Sequence, residues 1–241
     1  MEVALLTVGD ELLAGDTENT NATWLARQLA DRGAAVARVL VVPDDRELIA
    51  EYVRDWATAF DALVVTGGLG GTHDDVTMDA VADAVGRDLV AEEVVVDDVV
   101  RTVAEYRDRN PDLVDRYDLD LDVDGWAATP EGSRPLLNEP GLSPGCVVEN
   151  VYVFPGIPEE LRAMFESVGD EFAGDAVSET VETDAPEGAL PDVLDEARGT
   201  FDVVVGSYPS QDGPNRLKVT GSDAEEVRSA AAWLEQRVSD W

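Results

Sequence analysis

Apolar residues along the chain follow two alternating rhythms. Val3–Val8, Ala34–Val42 and Ala62–Thr66 are short, nearly continuous apolar runs, as expected of strands covered on both faces. Between them lie longer segments with apolar residues three and four apart. Thr20–Arg32 carries Trp24, Leu25 and Leu29, and Arg46–Phe60 carries Leu48, Ile49, Tyr52, Val53, Trp56 and Phe60. Gly33 supplies a helix stop, and Pro43 ends the second strand. Val76–Val85 and Val94–Arg109 continue as helices. Strand–helix alternation of this kind predicts an α/β domain, a mostly parallel sheet with helices on both sides.

Further along, the rhythm changes. Asn110–Asp124 is acidic and irregular. "VVENVYVF" sets Glu149-Asn150 between two apolar runs and predicts a hairpin. "AGDAVSE" after Phe172 reads as a linker, which divides the chain into a domain over 1–172 and a small α+β domain over 173–241. The second domain is expected to run strand, helix (Leu190–Arg198), strand (Asp202–Ser207), strand (Arg216–Thr220) and helix (Ala224–Val238).

Charge narrows the function. Lys+Arg 17 against Asp+Glu 52 leaves a formal net charge of −35. The acids run from Glu2 to Asp240, and Lys218 is the single lysine. A pervasive acid excess of this kind suits a salt-filled, halophilic cytoplasm, where ions screen the self-repulsion; the other explanation is a basic partner. No basic face is available for phosphate-rich nucleic acid. Cys146 stands alone, so no disulfide framework arises within the chain. "MEVALLTVGDELL" lacks a basic leader and a cleavage site, and no apolar run is long enough for a membrane span. The expected location is cytoplasmic.

The stretch "LVVTGGLGGTHDDVTMDAVADAVG", Leu63–Gly86, carries the first candidate chemistry. Its glycine turn joins a strand to a helix, the place where open parallel sheets bind ligands. Glycines admit a phosphate close to backbone N–H groups, and a helix N-terminus favours an anion. The turn does not match G-x-G-x-x-G, because His73 stands where the last glycine belongs, nor the phosphate-binding loop, which needs a lysine. Asp74 and Asp75 would repel a bare phosphate. They make sense as ligands of a divalent cation, Mg²⁺, Mn²⁺ or Co²⁺, that bridges to it; the bland reading is a helix cap, which needs only one aspartate. His73, the sole histidine, reads as an exposed loop residue.

A second acidic loop follows the first strand. In "TVGDELLAGDTENTNATWLARQL", Asp10 and Glu11 qualify as metal ligands or as a general base, or else they cap a turn. Asn19, Thr20 and Asn21 either cap the next helix or hydrogen-bond a ligand. Two acidic loops at neighbouring strand ends point to one crevice.

"VGDELLAGDTENTNATWLARQLADRG", "VVTGGLGGTHDDVTMDAVADAVG" and "PLLNEPGLSPGCVVE…VYVFPGIPEELRAMF" together resemble the CinA-like branch of the molybdopterin-binding domain family. The resemblance covers roughly Met1–Phe172 and implies a three-layer α/β/α fold. It also implies a crevice built from Gly9, Asp10 and Glu11, from Thr66, Gly67 and Gly68, from Asp74 and Asp75, and from Pro155 and Gly156. Gly70 and Thr72 complete the turn as ligand-binding positions. The family's usual Gly-Leu-Gly-Pro-Thr is here Gly68-Leu69-Gly70-Gly71-Thr72. The second domain is too short to be the nicotinamide mononucleotide amidase domain of longer CinA proteins.

The resemblance leaves three functions open. One is a metal-dependent pyrophosphohydrolase acting on ADP-ribose or a related dinucleotide, with Glu11 and Asp75 as metal ligands and Asp10 as base. Another is a carrier of molybdopterin, without hydrolysis. The third is a homologue that keeps the crevice for its fold alone. A homodimer is expected, as family members tend to associate.

Overall fold

Val3–Val8 are all buried within strand β1 (Glu2–Val8), and the alternation of their side chains organises the first domain. Val3 and Leu5 join one core with Leu25, Leu29 and Phe165. Ala4, Leu6 and Val8 join another with Ile49, Val53 and Val81. Burial on both faces is why the strand reads as a continuous apolar run. The same division recurs in β3 (Ala62–Thr66) and in β8 (Val151–Phe154).

The computed structural model describes residues 1–109, 123–210 and 213–239. The chain divides into two units, Met1–Ala173 and Gly174–Trp241. In the first, β1 pairs in parallel with β2 (Ala35–Val42) and with β3, and β3 pairs in parallel with β8. Two antiparallel strands, β7 (Gly145–Val148) and β6 (Arg134–Leu136), complete the order β2-β1-β3-β8-β7-β6. The expected hairpin at Glu149-Asn150 joins β7 to β8. Helices α2 (Thr20–Asp31) and α7 (Pro158–Val168) bury their apolar stripes against one face. Helices α3 (Arg46–Ala59) and α4 (Thr77–Val85) cover the other. The result is the three-layer α/β/α arrangement with a mostly parallel sheet.

Two smaller pieces complete this unit. Strands β4 (Leu89–Ala91) and β5 (Ala128–Pro130) pair antiparallel. Helix α5 (Glu93–Arg109) packs Val95, Val99 and Val103 with Ala127, beside Trp126 and Leu142. The expected irregular segment Asn110–Asp124 lies outside the described residues over 110–122, and the single turn α6 (Val123–Trp126) follows it.

In the second unit, β9 (Val177–Thr183), β10 (Val204–Tyr208) and β11 (Asn215–Gly221) form an antiparallel sheet in the order β10-β11-β9. Helices α8 (Pro191–Thr200) and α9 (Ala224–Val238) close one core with it through Leu194, Leu217 and Leu234. The linker expected at "AGDAVSE" is shorter than the sequence suggests, because β9 starts at Val177 within it. β9, the strand expected before the first helix of this domain, is a sheet edge whose residues are mostly exposed, so no apolar run marks its bounds. No helix among the described residues is long and apolar enough to cross a membrane.

Cys146 on β7 is fully buried, and burial pushes its thiol up to about 12 from 9.0. Only the thiolate is nucleophilic. A thiol reagent is therefore expected to find no reactive group in the native protein and one in urea. Because the folded value is the raised one, Cys146's contribution to stability is complete below the unfolded value and declines as the pH rises towards about 12.

Candidate functional site

Parallel pairing of β1, β3 and β8 brings their carboxyl ends to one edge of the sheet, so the loops that follow them converge. Gly67 has φ +94 and Gly68 φ +63. A Cβ at Gly67 would overlap the Val8 carbonyl oxygen, and one at Gly68 would overlap the Thr77 hydroxyl. Only glycine meets both demands, a left-handed backbone and direct contact with the neighbouring strand at Gly67 and with helix α4 at Gly68. The Gly67 amide donates to the Phe154 carbonyl at 3.1 Å, and the Thr77 amide donates to the Gly68 carbonyl at 3.1 Å. Thr66 and Thr77 are buried with hydroxyl oxygens that have no partner among the described residues. Thr66 faces the cavity described below.

The carboxylates gather at the same edge. Asp10 and Glu11 occupy the single turn α1 (Asp10–Leu13), directly after Gly9. The Asp10 amide donates to Asp44 Oδ2 at 2.9 Å. Asp44 ends the loop after β2 and was not foreseen as a site residue. Its signal was available: an acid after a strand end, hidden beside the helix-capping Asp45. Desolvation is the largest influence on Asp44 and raises its carboxyl above the ordinary value; the Asp10 amide opposes this, and the charges of Asp10, Glu11 and Asp74 add to it. Asp44 therefore feels the charges of the other three.

Asp75 is partly engaged. Its Oδ2 accepts from the Thr72 amide at 2.9 Å and from the Thr72 hydroxyl at 2.6 Å, which leaves Oδ1 for a ligand. The same hydroxyl, and after it the backbone amide of Asp74, hold exposed Asp74 below the ordinary range. A hydroxyl has one proton, so the two aspartates compete for it. His73 is exposed, as expected.

Asn19 and Asn21 have clear structural duties. Asn19 Oδ1 caps α2 by accepting from the Ala22 amide at 3.1 Å, and its Nδ2 donates to Thr7 Oγ1 at 3.2 Å. Asn21 Nδ2 donates to the Gly156 carbonyl at 2.7 Å, tying α2 to the Pro155-Gly156 turn.

All these loops enclose a cavity of about 810 Å³, whose walls include Gly9, Gly67, Gly68, Gly70, Pro155 and Gly156. Thr72 is absent from its lining and acts through Asp75. Among the described residues, six carboxylates line it, Glu11, Glu18, Asp44, Asp74, Asp75 and Glu160, against one cation, Arg109. Arg109 is itself paired to Glu105 at 2.7 Å. Among the described residues, no three His, Cys, Asp or Glu side chains are gathered tightly enough to hold a metal ion unaided. A cation here would need oxygens from a ligand and from water, the usual condition for Mg²⁺.

Two more lining residues that the sequence does not disclose bear on the site. Trp126 lies directly against Gly71, in the place a side chain there would fill. Glu160, in the first turn of α7, is buried and accepts from Asn138 Nδ2 at 2.8 Å. Desolvation raises its carboxyl, opposed by the Asn138 bond. Their spacing in the sequence carries no motif.

Comparison with known proteins accords with this geometry. Residues 4–174 match the family described as "Probable molybdopterin binding domain", and residues 175–241 match the middle domain of FAD synthase. A protein of Archaeoglobus fulgidus is 36% identical over 242 residues, covering 100% of this chain and 99% of its own. A CinA-like protein of Frankia casuarinae is 40% identical over 173 residues, 68% of this chain and 38% of the relative. The crystal structure of the protein CinA, of unknown function, from Thermoplasma acidophilum has a TM-score of 0.60 at 30% identity, covering 72% of this chain and 99% of that one. The chain belongs to the molybdopterin-binding domain family, in company with CinA-like relatives.

Proposed function

We propose that the first domain is a metal-dependent pyrophosphohydrolase for ADP-ribose or a related dinucleotide. The observation that carries this reading is the mismatch in the cavity: glycine turns shaped for a phosphate, surrounded by six carboxylates and one arginine. An anionic ligand enters such a site only with its charge neutralised. Glu11 and the free oxygen of Asp75 would hold a divalent cation, with oxygens of the pyrophosphate and of water completing its shell. The cation supplies charge neutralisation at the phosphates. The chain's own groups do the rest. Thr66 Oγ1 and the turn amides that follow Gly67, whose own amide is held by the Phe154 carbonyl, orient the phosphate oxygens. Asp44, raised by burial, is better suited than exposed Asp10 to take the proton of an attacking water. The match of the second domain to FAD synthase makes FAD a further dinucleotide to test.

The assay is release of AMP from ADP-ribose, NAD or FAD in molar KCl with Mg²⁺, Mn²⁺ or Co²⁺. Turnover is expected to need the cation and to fall by about 10²–10⁴ in Asp44→Asn, the range associated with loss of a general base. Absence of turnover with every cation and substrate refutes the proposal. The family match favours a second reading, in which the same cavity binds molybdopterin without hydrolysing it.

A further inference from the structure

Glu160 is 8% exposed, and no ion pair joins it to a cation among the described residues. Among the described residues its side chain accepts from one neutral donor, Asn138 Nδ2. A buried charge with so little compensation calls for a reason.

Loop architecture does not supply that reason. Asn138 already organises its loop: its Nδ2 donates to the Ser143 carbonyl at 2.8 Å, and its Oδ1 accepts from the Gly141 amide at 3.0 Å. Its own amide donates to Asp98 Oδ2 at 3.2 Å. A neutral glutamine at 160 would accept from Asn138 equally well, with no charge to bury. The carboxylate is therefore the surplus feature. It lies on the cavity wall, and Gly141 packs so closely on it that a Cβ there would overlap the carboxyl. The next residue, Leu142, shares an apolar cluster with Trp126, and both of them, with Pro140, line the same cavity. An acceptor beside apolar walls is the setting for a flat ring bearing an N–H donor.

We propose that Glu160 is a specificity residue whose carboxylate accepts a hydrogen bond from the exocyclic amino group of the ligand's heteroaromatic ring, seated against Pro140, Leu142 and Trp126. This rests on the cavity being the ligand site of the proposed function, though not on hydrolysis. The amino-bearing ring comes from either a nucleobase or a pterin, and the test separates them. Binding to the full chain is measured by calorimetry in molar KCl with Mg²⁺ at mildly alkaline pH. The probes are two pairs: adenosine with inosine, and pterin with its 2,4-dioxo counterpart. Each pair exchanges an amino group for a carbonyl that an acceptor-only carboxylate repels.

In the wild type the amino member of one pair is expected to bind about ten- to a hundredfold more tightly, the range of a hydrogen bond to a charged group. Glu160→Gln, whose amide both donates and accepts, is expected to reduce that gap to about threefold or less. A merely structural role would weaken both members alike and keep their ratio. A gap for adenosine marks a nucleobase ligand, and a gap for the pterin marks a pterin; either supports the role of Glu160. Equal binding within both pairs, no binding of any probe, or a gap that survives Glu160→Gln overturns it. A Glu160-dependent gap without hydrolysis refutes the pyrophosphohydrolase alone, and hydrolysis without a gap refutes the role of Glu160 alone.

Discussion

Gly67→Ala is expected to destabilise the first domain by about 3 kcal/mol or more, through left-handed strain together with a backbone clash. The φ of +94 disfavours any side chain, and the Cβ would meet the Val8 carbonyl oxygen, which is backbone and cannot rotate away. Gly67 also donates to the Phe154 carbonyl, so the forced shift would loosen the register of β3 against β8. The measurement is the urea midpoint in molar KCl. Gly15→Ala provides the reference within the same domain, because its φ is +77 but a Cβ there meets nothing within 4 Å. If the two variants unfold together, the close approach of the two strand ends is not as described.

Lowering the salt is expected to have the other large effect. At a net charge of −35 the folded chain repels itself, and the acids outnumber the cations three to one, 52 to 17. Even where arginines are paired, acids often remain in excess: Arg46 serves both Asp79 and Asp83, at 2.9 and 2.6 Å. Screening lengths grow from roughly 3 Å at 1 M to 10 Å at 0.1 M. Transfer from molar to 0.1 M KCl is expected to cost about 3 kcal/mol and to lower the midpoint of thermal unfolding by about 10 °C. A midpoint independent of KCl would mean that the acid excess is neutralised in some other way, for example by a basic partner.

What the sequence discloses follows from how each structure is stabilised. β1 and β3 are buried on both faces, so their apolar runs are unbroken and their ends are marked by Gly9 and Gly67. Helices α2 and α3 bury one face and show the matching periodicity. β9 is an edge strand that pairs with β11 and buries only Val181 and Thr183, so the strand was expected but its start carries no apolar signal. The loop acids were visible wherever a strand end preceded them. Asp44 followed the same rule but stood beside Asp45, which caps α3 by accepting from the Leu48 amide. Glu160 and Trp126 reach the cavity only through tertiary packing, from a helix and a single turn with duties of their own. Asn19 and Asn21 show the opposite case: residues suited to a ligand whose amide groups bond to the protein itself.

The account turns on a cavity that accepts a pyrophosphate only together with a cation. The most direct measurement is calorimetric titration of ADP-ribose into the wild-type protein in molar KCl, once with Mg²⁺ and once with EDTA. The account predicts binding with Mg²⁺ and its loss, by about a hundredfold or more, in EDTA, since several carboxylates would then face the bare phosphates. Equal affinity in the two titrations would contradict it, because the glycine turns would then hold the anion without help from the acids around them.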